Sequence, residues 1–347
     1  MVAPAECFVI AEAGVNHNGS DDLAFKLVDV AAEAGADAVK FQSFRAESLT
    51  KPGAEKAEYQ KDKTGDGDQL SMLKKLELST EMHHRLKEHC HKAGIEFLST
   101  PFDEETADFL VGMGIKRFKV PSGELTNLVM MKHLARKNLP MILSTGMGTI
   151  EEIHEAVETI RNTRENLGFN EPLETMLTLL HCTSNYPAAL SDINLRAMQT
   201  MQQEFNLPVG YSDHSEGLLV PVMAVAMGAG VIEKHFTLDR SMPGPDHAAS
   251  VEPNELKTMV ENIRATTQAL GSSKKTPTPS ELPIRDLVRK SVTLKHSLSA
   301  GQSIKEGDLV LLRPGTGILP RDIEKVLTKK AAHDLPQWHT LQWSDLE

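Results

Sequence analysis

The sequence predicts an α/β fold: a (β/α)8 TIM barrel followed by a small second domain. Three observations lead there. Short apolar, β-branched runs alternate with amphipathic segments from the start of the chain to about residue 270. Eight such strand–helix units follow one another, the number that closes a barrel. Nearly every run ends in polar or ionisable residues, and barrel enzymes build their sites at that C-terminal rim. A doubly wound sheet is the structural alternative, which strand counting separates only weakly.

The first strand candidate, residues 7–13, is apolar without strict alternation, as a parallel strand covered on both faces should be. It carries Glu12, and Asn16 and His17 follow in a turn. Ser20 with Asp21 and Asp22 opens a helix, and Gly35 stops it. Residues 37–43 form the second strand, ending in Lys40 and Gln42. The stretch 45–75, rich in Lys, Asp, Gly and Gln, is long for a βα loop. It reads as a lid or binding loop, or as a solvated excursion. Ser79 starts the next helix and Gly94 ends it. The strands that follow are 96–101 with Ser99 and Thr100, 117–121 with Lys119 leading to Ser122, and 141–145 with Ser144 and Thr145. Then come 177–183 with His181 and Thr183, 207–212 leading into Ser212, Asp213 and His214, and 230–237 with Glu233 and His235. The barrel is thus expected over residues 1–270. Residues 271–282, with Ser, Lys, Thr and Pro, read as a linker, and 283–347 as the small domain, whose apolar runs are split by turns.

Composition narrows the function. The 347 residues are 40% hydrophobic and 24% charged, which suits a packed globular chain and not a disordered one. A net charge of -11 speaks against a nucleic-acid partner, which needs clustered Lys and Arg. Three scattered cysteines, Cys7, Cys90 and Cys182, suit neither a disulfide framework nor a cysteine zinc site. No apolar run approaches the roughly 18 residues of a membrane span. No basic stretch precedes an apolar one at the N-terminus, so a cytoplasmic location is expected. Neither a Walker-type phosphate loop nor a GxGxxG after a strand occurs, which leaves nucleotide cofactors without support.

His214 and His235 follow apolar runs on adjacent strands and could hold a divalent ion together with water and substrate oxygens. Mn²⁺ fits such a site best, with Mg²⁺ or Co²⁺ as other options; the bland reading is two core or capping histidines. Asp213 and Glu233 adjoin them and are expected on the opposite strand faces. Lys40 and Lys119 sit inside apolar runs, and inward lysines imply an anion to neutralise them. Ser122, Ser144, Thr100 and Ser212 could then donate hydrogen bonds to a phosphate or carboxylate. Internal ion pairing with Glu12 and Glu124 explains the lysines too, and Schiff-base chemistry is a further option. Glu12 and Glu124 are each an acid–base group, a hydroxyl anchor or a charge balance. His83, His84, His89, Cys90 and His91 match no zinc spacing and are read as a solvated helix face.

The segments AEAGVNHNGS, AGADAVKFQS, FLSTPFD, FKVPSGE, ILSTGM, LLHCTSNYP, VGYSDHS, VIEKHFTLDRSMPGPDH and LLRPGTGI, taken together and in this order, resemble the sialic acid synthase family. That family includes N-acetylneuraminate, legionaminic acid and pseudaminic acid synthases. The resemblance implies a barrel followed by an antifreeze-like (SAF) domain, exchanged across a homodimer. It implies metal ligation by His214 and His235, and phosphoenolpyruvate binding by Lys40, Thr100, Lys119, Ser122, Ser144 and Ser212. It places Glu12 near the metal and the aldehyde, Gln42, Glu124, Tyr186 and Asp246 at the acceptor sugar, and Arg313 at the N-acyl group from the partner subunit. The activity implied is metal-dependent condensation of phosphoenolpyruvate with open-chain N-acetylmannosamine to N-acetylneuraminate and phosphate.

One departure stands out. Some members carry Asn directly after the HCT triplet, where this chain has Ser184 and then Asn185, which leaves room for a different acceptor. The alternative within the class is an N,N'-diacetyllegionaminate synthase using 2,4-diacetamido-2,4,6-trideoxymannose. A pyruvate aldolase working through a lysine Schiff base is the rival enzyme class, and a carbohydrate-binding module on an inert barrel is the non-enzymatic one.

Overall fold

The computed structural model describes residues 6–56 and 67–347; residues 57–66, the middle of the long second loop, lie outside the described residues. Contacts divide the chain into two compact units, Met1–Gly271 and Ser272–Glu347.

The first unit is a parallel barrel of β1 (Phe8–Gly14), β2 (Ala38–Ser43), β3 (Glu96–Pro101), β4 (Phe118–Val120), β5 (Met141–Ser144), β6 (Leu177–Cys182), β7 (Val209–Asp213) and β8 (Val231–His235). The ladder runs β3-β2-β1-β8-β7-β6-β5-β4, and its two end strands lie alongside each other. Helices follow the strands where caps and amphipathic faces dictate. The Ser20 side chain accepts from the Leu23 N–H to start helix Asp21–Glu33, and Ser79 accepts from the Met82 N–H to start Thr80–Ala93. Gly94 ends the latter at a φ of 75°. Thr149 and Glu152 form a reciprocal capping box at the head of helix Ile150–Asn166.

Strand alternation sorts side chains into two layers. Val9, Ala11, Val39, Phe41, Phe97, Phe118, Val120, Leu143, Leu179, Tyr211 and Ile232 face outward into the main core under the helices. Ile10, Ala38, Leu98, Ile142, Leu180 and Val231 face inward and plug the barrel floor. Two residues further along the same strands, the inward positions are Glu12, Lys40, Thr100, Ser144, Cys182 and Glu233. The floor thus sets the height at which the chemistry sits.

Within the long second loop, short helices Ala46–Leu49 and Gln69–Lys74 are present, and Val15, Phe44, Met72 and Leu76 form a small apolar cluster of their own. The second unit pairs β9 (Ser291–Leu294) antiparallel with β10 (Leu309–Leu312) over a core that includes Val292, Leu294, Leu298, Ile304 and Val326. A helix, Glu281–Val288, begins at the end of the stretch expected as a linker. No helix among the described residues is long and apolar enough to cross a membrane.

Candidate active site

A cavity of about 390 Å³ opens at the C-terminal rim of the barrel, large enough for small-molecule substrates. Its polar centre is a four-membered charge cluster. Register places Lys40 beside Glu12, and Glu12 beside His235 on the strand to its other side. Lys40 Nζ lies 2.7 Å from Glu12 Oε2 and 3.7 Å from Glu233 Oε2, while Lys119 Nζ lies 3.1 Å from Glu233 Oε1. All four side chains are buried.

Burial opposes charge on Glu12, Glu233 and Lys40, and its balance with the neighbouring charges sets each outcome. For Glu12, burial outweighs Lys40, and the Glu233 charge adds to it, so its carboxyl is pushed well above the usual range. For Glu233, Lys119, Lys40 and a 2.8 Å hydrogen bond from the Ser212 hydroxyl overcome burial and hold the carboxyl down. Lys40 loses to burial but gains more from Glu12 and Glu233, and its pKa rises. The cluster therefore keeps cationic character for an entering anion.

The two histidines meet on the same cavity, with ring centroids 5.5 Å apart. His214 Nδ1 donates to the Thr183 carbonyl at 2.7 Å, which leaves the Nε2 lone pair free. His235 Nδ1 is buried with no hydrogen-bond partner, 3.7 Å from Asp246 Oδ2. Burial lowers the pKa of both rings, so both are neutral imidazoles, the form that binds a metal. These donors fit a divalent cation. No group of three or more His, Cys, Asp or Glu forms a complete cage among the described residues, so water and substrate oxygens would fill the remaining positions.

Ser122, Ser144 and Ser212 line the cavity beside Lys119, and the Ser144 hydroxyl is buried without a partner. Gln42, Tyr186 and Asp246 line it too, with the Tyr186 ring centroid 4.1 Å from that of His214. Burial raises the Asp246 carboxyl to about 6, with Lys40 pulling the other way. Gly14, at a φ of 52°, lets these groups close in. A Cβ there would stand 3.2 Å from Glu12 Oε1 and 3.5 Å from both Asp246 Oδ2 and Gln42 Nε2.

Four expectations from the sequence change. Glu233 shares its strand face with His235, two residues on, and lies at the centre of the cluster instead of behind it. Thr100 does not line the cavity; its hydroxyl accepts from Lys40 Nζ at 2.9 Å and holds the lysine in place. Glu124 does not line it either, and instead accepts from the Asn127 side chain at 2.7 Å on the turn after β4. His83 and Cys90 belong to the packed face of their helix, not to a solvated one; His83 is tied to the Ser43 hydroxyl and the Ser79 carbonyl. His17 has a turn role, its Nδ1 accepting from the Gly19 N–H at 3.0 Å. Arg313 is exposed on the second unit. The cavity also takes in Cys182, Ser184 and an apolar wall of Val15, Met72, Leu73, Leu76 and Phe102. A separate cavity of about 430 Å³, with Arg45, Lys74, Glu77 and His83 on its walls, holds none of the candidate residues.

Comparison with known proteins gives two family matches: the NeuB family over residues 27–275 and the SAF domain over 289–347. Among similar proteins, the N,N'-diacetyllegionaminic acid synthase of Legionella pneumophila is 52% identical over 342 residues, covering 98% of this chain and 95% of that protein. The N,N'-diacetyllegionaminic acid synthase of Campylobacter jejuni is 47% identical over 324 residues, 93% of this chain and 95% of its own. Among solved structures, the N-acetylneuraminic acid synthetase of Leptospira borgpetersenii superposes with a TM-score of 0.69 at 34% identity, over 80% of this chain and 90% of that one.

Proposed function

The chain belongs to the NeuB family, with a SAF domain after its barrel, and on that premise we propose that it makes N,N'-diacetyllegionaminate and phosphate from phosphoenolpyruvate and 2,4-diacetamido-2,4,6-trideoxymannose. The broader activity is phosphoenolpyruvate-dependent carbon–carbon bond formation with a sialic-acid-type sugar. The choice of acceptor rests on the 52% and 47% identity to two diacetyllegionaminic acid synthases. It replaces N-acetylmannosamine, the acceptor favoured on the motifs alone. The observation that carries the chemistry is the meeting of two buried lysines and two neutral imidazoles in one cavity.

Lys40 and Lys119 would hold the anionic groups of phosphoenolpyruvate, with Ser122 and Ser144 as neutral donors beside them, while the Ser212 hydroxyl gives its proton to Glu233. His214 and His235 would hold a divalent cation, Mn²⁺ in this reading, which supplies Lewis-acid polarisation of the acceptor aldehyde when bound. Carbon 3 of phosphoenolpyruvate forms the new bond to that aldehyde carbon. Water adds at carbon 2, and the carbon–oxygen bond to phosphate breaks to leave the 2-keto acid. Lys119 and Lys40 stabilise the charge on the departing phosphate. Glu12, pushed toward its protonated form and paired with Lys40, can give or take a proton at the new hydroxyl or the attacking water. Asp246, Gln42 and Tyr186 line the same cavity and are assigned to the acceptor sugar on family resemblance. Arg313 is assigned to an N-acyl group on family resemblance, through a cytoplasmic homodimer. Phosphate release from phosphoenolpyruvate should require both an acceptor sugar and a divalent cation. Borohydride trapping of a pyruvate adduct on a lysine would instead favour the aldolase.

A further inference from the structure

Ser122 opens the turn Ser122–Glu124 after β4, and Cys182 is the last residue of β6. Both line the cavity beside Lys119 and Ser144. Ser122 Oγ lies 3.1 Å from Cys182 Sγ and accepts from the Gly146 N–H at 3.0 Å. A hydroxyl has one proton and two lone pairs. The Gly146 N–H takes one lone pair, so the direction of the contact with Cys182 decides where the proton goes. If the thiol accepts, the Ser122 proton is spent on a weak acceptor and not on a ligand. If the thiol donates, both lone pairs are filled and the proton is left for a ligand.

We propose that Cys182 is a positioning residue: it donates its S–H to Ser122 and so turns the Ser122 hydroxyl proton onto the bound anion of phosphoenolpyruvate. This rests on the reading of the cavity as a phosphoenolpyruvate site. Burial keeps the thiol protonated, and therefore a donor, at neutral pH. Ser144 supplies a second hydroxyl on the same cavity, 2% exposed and without a partner. The Ser122–Cys182 pair is built in around Gly146. A Cβ at that position would come 2.8 Å from Cys182 Sγ and 2.9 Å from Ser122 Oγ, so only a bare backbone lets Gly146 approach them.

A double-mutant cycle in the full-length enzyme tests this. Cys182→Ala should raise KM for phosphoenolpyruvate about fivefold to tenfold, the scale of one hydrogen bond, and leave the acceptor KM within about twofold. Cys182→Ser, which keeps a donor, should recover most of that loss. In a Ser122→Ala background, Cys182→Ala should add less than about twofold, because the hydroxyl it orients is gone. Losses that multiply in that background, an equal rise in the acceptor KM, or a Cys182→Ser as impaired as Cys182→Ala would each overturn the proposal. Should Cys182→Ala fail to fold, Cys182→Val keeps the bulk without the donor and takes its place. Wild-type protein that releases no phosphate from phosphoenolpyruvate sinks the functional reading along with this one. An active wild type with multiplying losses sinks this one alone.

Discussion

Lys119 Nζ lies 3.1 Å from Glu233 Oε1, and both side chains are almost wholly withdrawn from solvent. The lysine that faces the cavity thus has an internal counterion before any substrate arrives. Removing one partner of a buried pair leaves the other uncompensated, at a cost of about 3 kcal/mol or more. Glu233→Gln should therefore lower the stability of the ligand-free barrel by about that amount, measured by chemical unfolding. Added phosphoenolpyruvate should recover more stability in this variant than in wild type, since its anion compensates both lysines. Equal stabilisation of the two proteins would count against the cluster as the anion site.

Lys119→Met keeps the stem and removes the charge. A charge-assisted hydrogen bond contributes about 1.5–3 kcal/mol, so KM for phosphoenolpyruvate should rise about tenfold to a hundredfold in initial-rate measurements. The acceptor KM should stay within about threefold. An unchanged phosphoenolpyruvate KM would place the anion elsewhere.

His214 has one nitrogen fixed by the Thr183 carbonyl and the other free. His214→Ala should abolish Mn²⁺ binding by calorimetry and phosphate release together, while the circular-dichroism spectrum and melting temperature stay near wild type. Wild-type activity that survives exhaustive chelation would remove the metal from the account.

His17 sits buried in the turn after β1, and burial lowers its pKa from 6.5 to about 4. The unfolded chain takes up a proton as pH falls below about 6.5, whereas the folded chain does so only near 4. The stability His17 contributes is therefore fully present above pH 6.5 and lost progressively toward pH 4, on the order of 3 kcal/mol. Urea unfolding at several pH values should show the difference between wild type and His17→Asn shrinking with acid across that window. A difference that is flat or grows would contradict the buried neutral imidazole.

Much of the site was legible because barrel geometry converts strand position into height. Once residues 37–43 are read as a strand entering the rim, Lys40 and Gln42 must face one way, and both do. Helix ends at Ser20, Ser79 and Gly94 were equally readable, since capping is local chemistry. Glu233 was readable too, because residues two apart on a strand share a face, and His235 was already assigned inward. Thr100 and Glu124 show the opposite limit. Each sits at a strand end among polar neighbours, but whether it reaches the cavity or holds a neighbouring side chain depends on contacts across strands. Cys182 stood out in the sequence only as one of three scattered cysteines, and only the approach of Gly146 and Ser122 from other loops reveals its hydrogen bond. The motifs favoured N-acetylmannosamine and kept the diacetamido sugar only as the alternative; Met72, Leu73 and Leu76, which also line the cavity, lie in the long second loop outside those motifs.

The most direct test offers the purified protein phosphoenolpyruvate, Mn²⁺ and equal amounts of N-acetylmannosamine and 2,4-diacetamido-2,4,6-trideoxymannose, and identifies the products by mass. The expected result is N,N'-diacetyllegionaminate in at least about tenfold excess, which corresponds to 1.4 kcal/mol of preference. N-acetylneuraminate as the dominant product, or no condensation with either sugar, would contradict it.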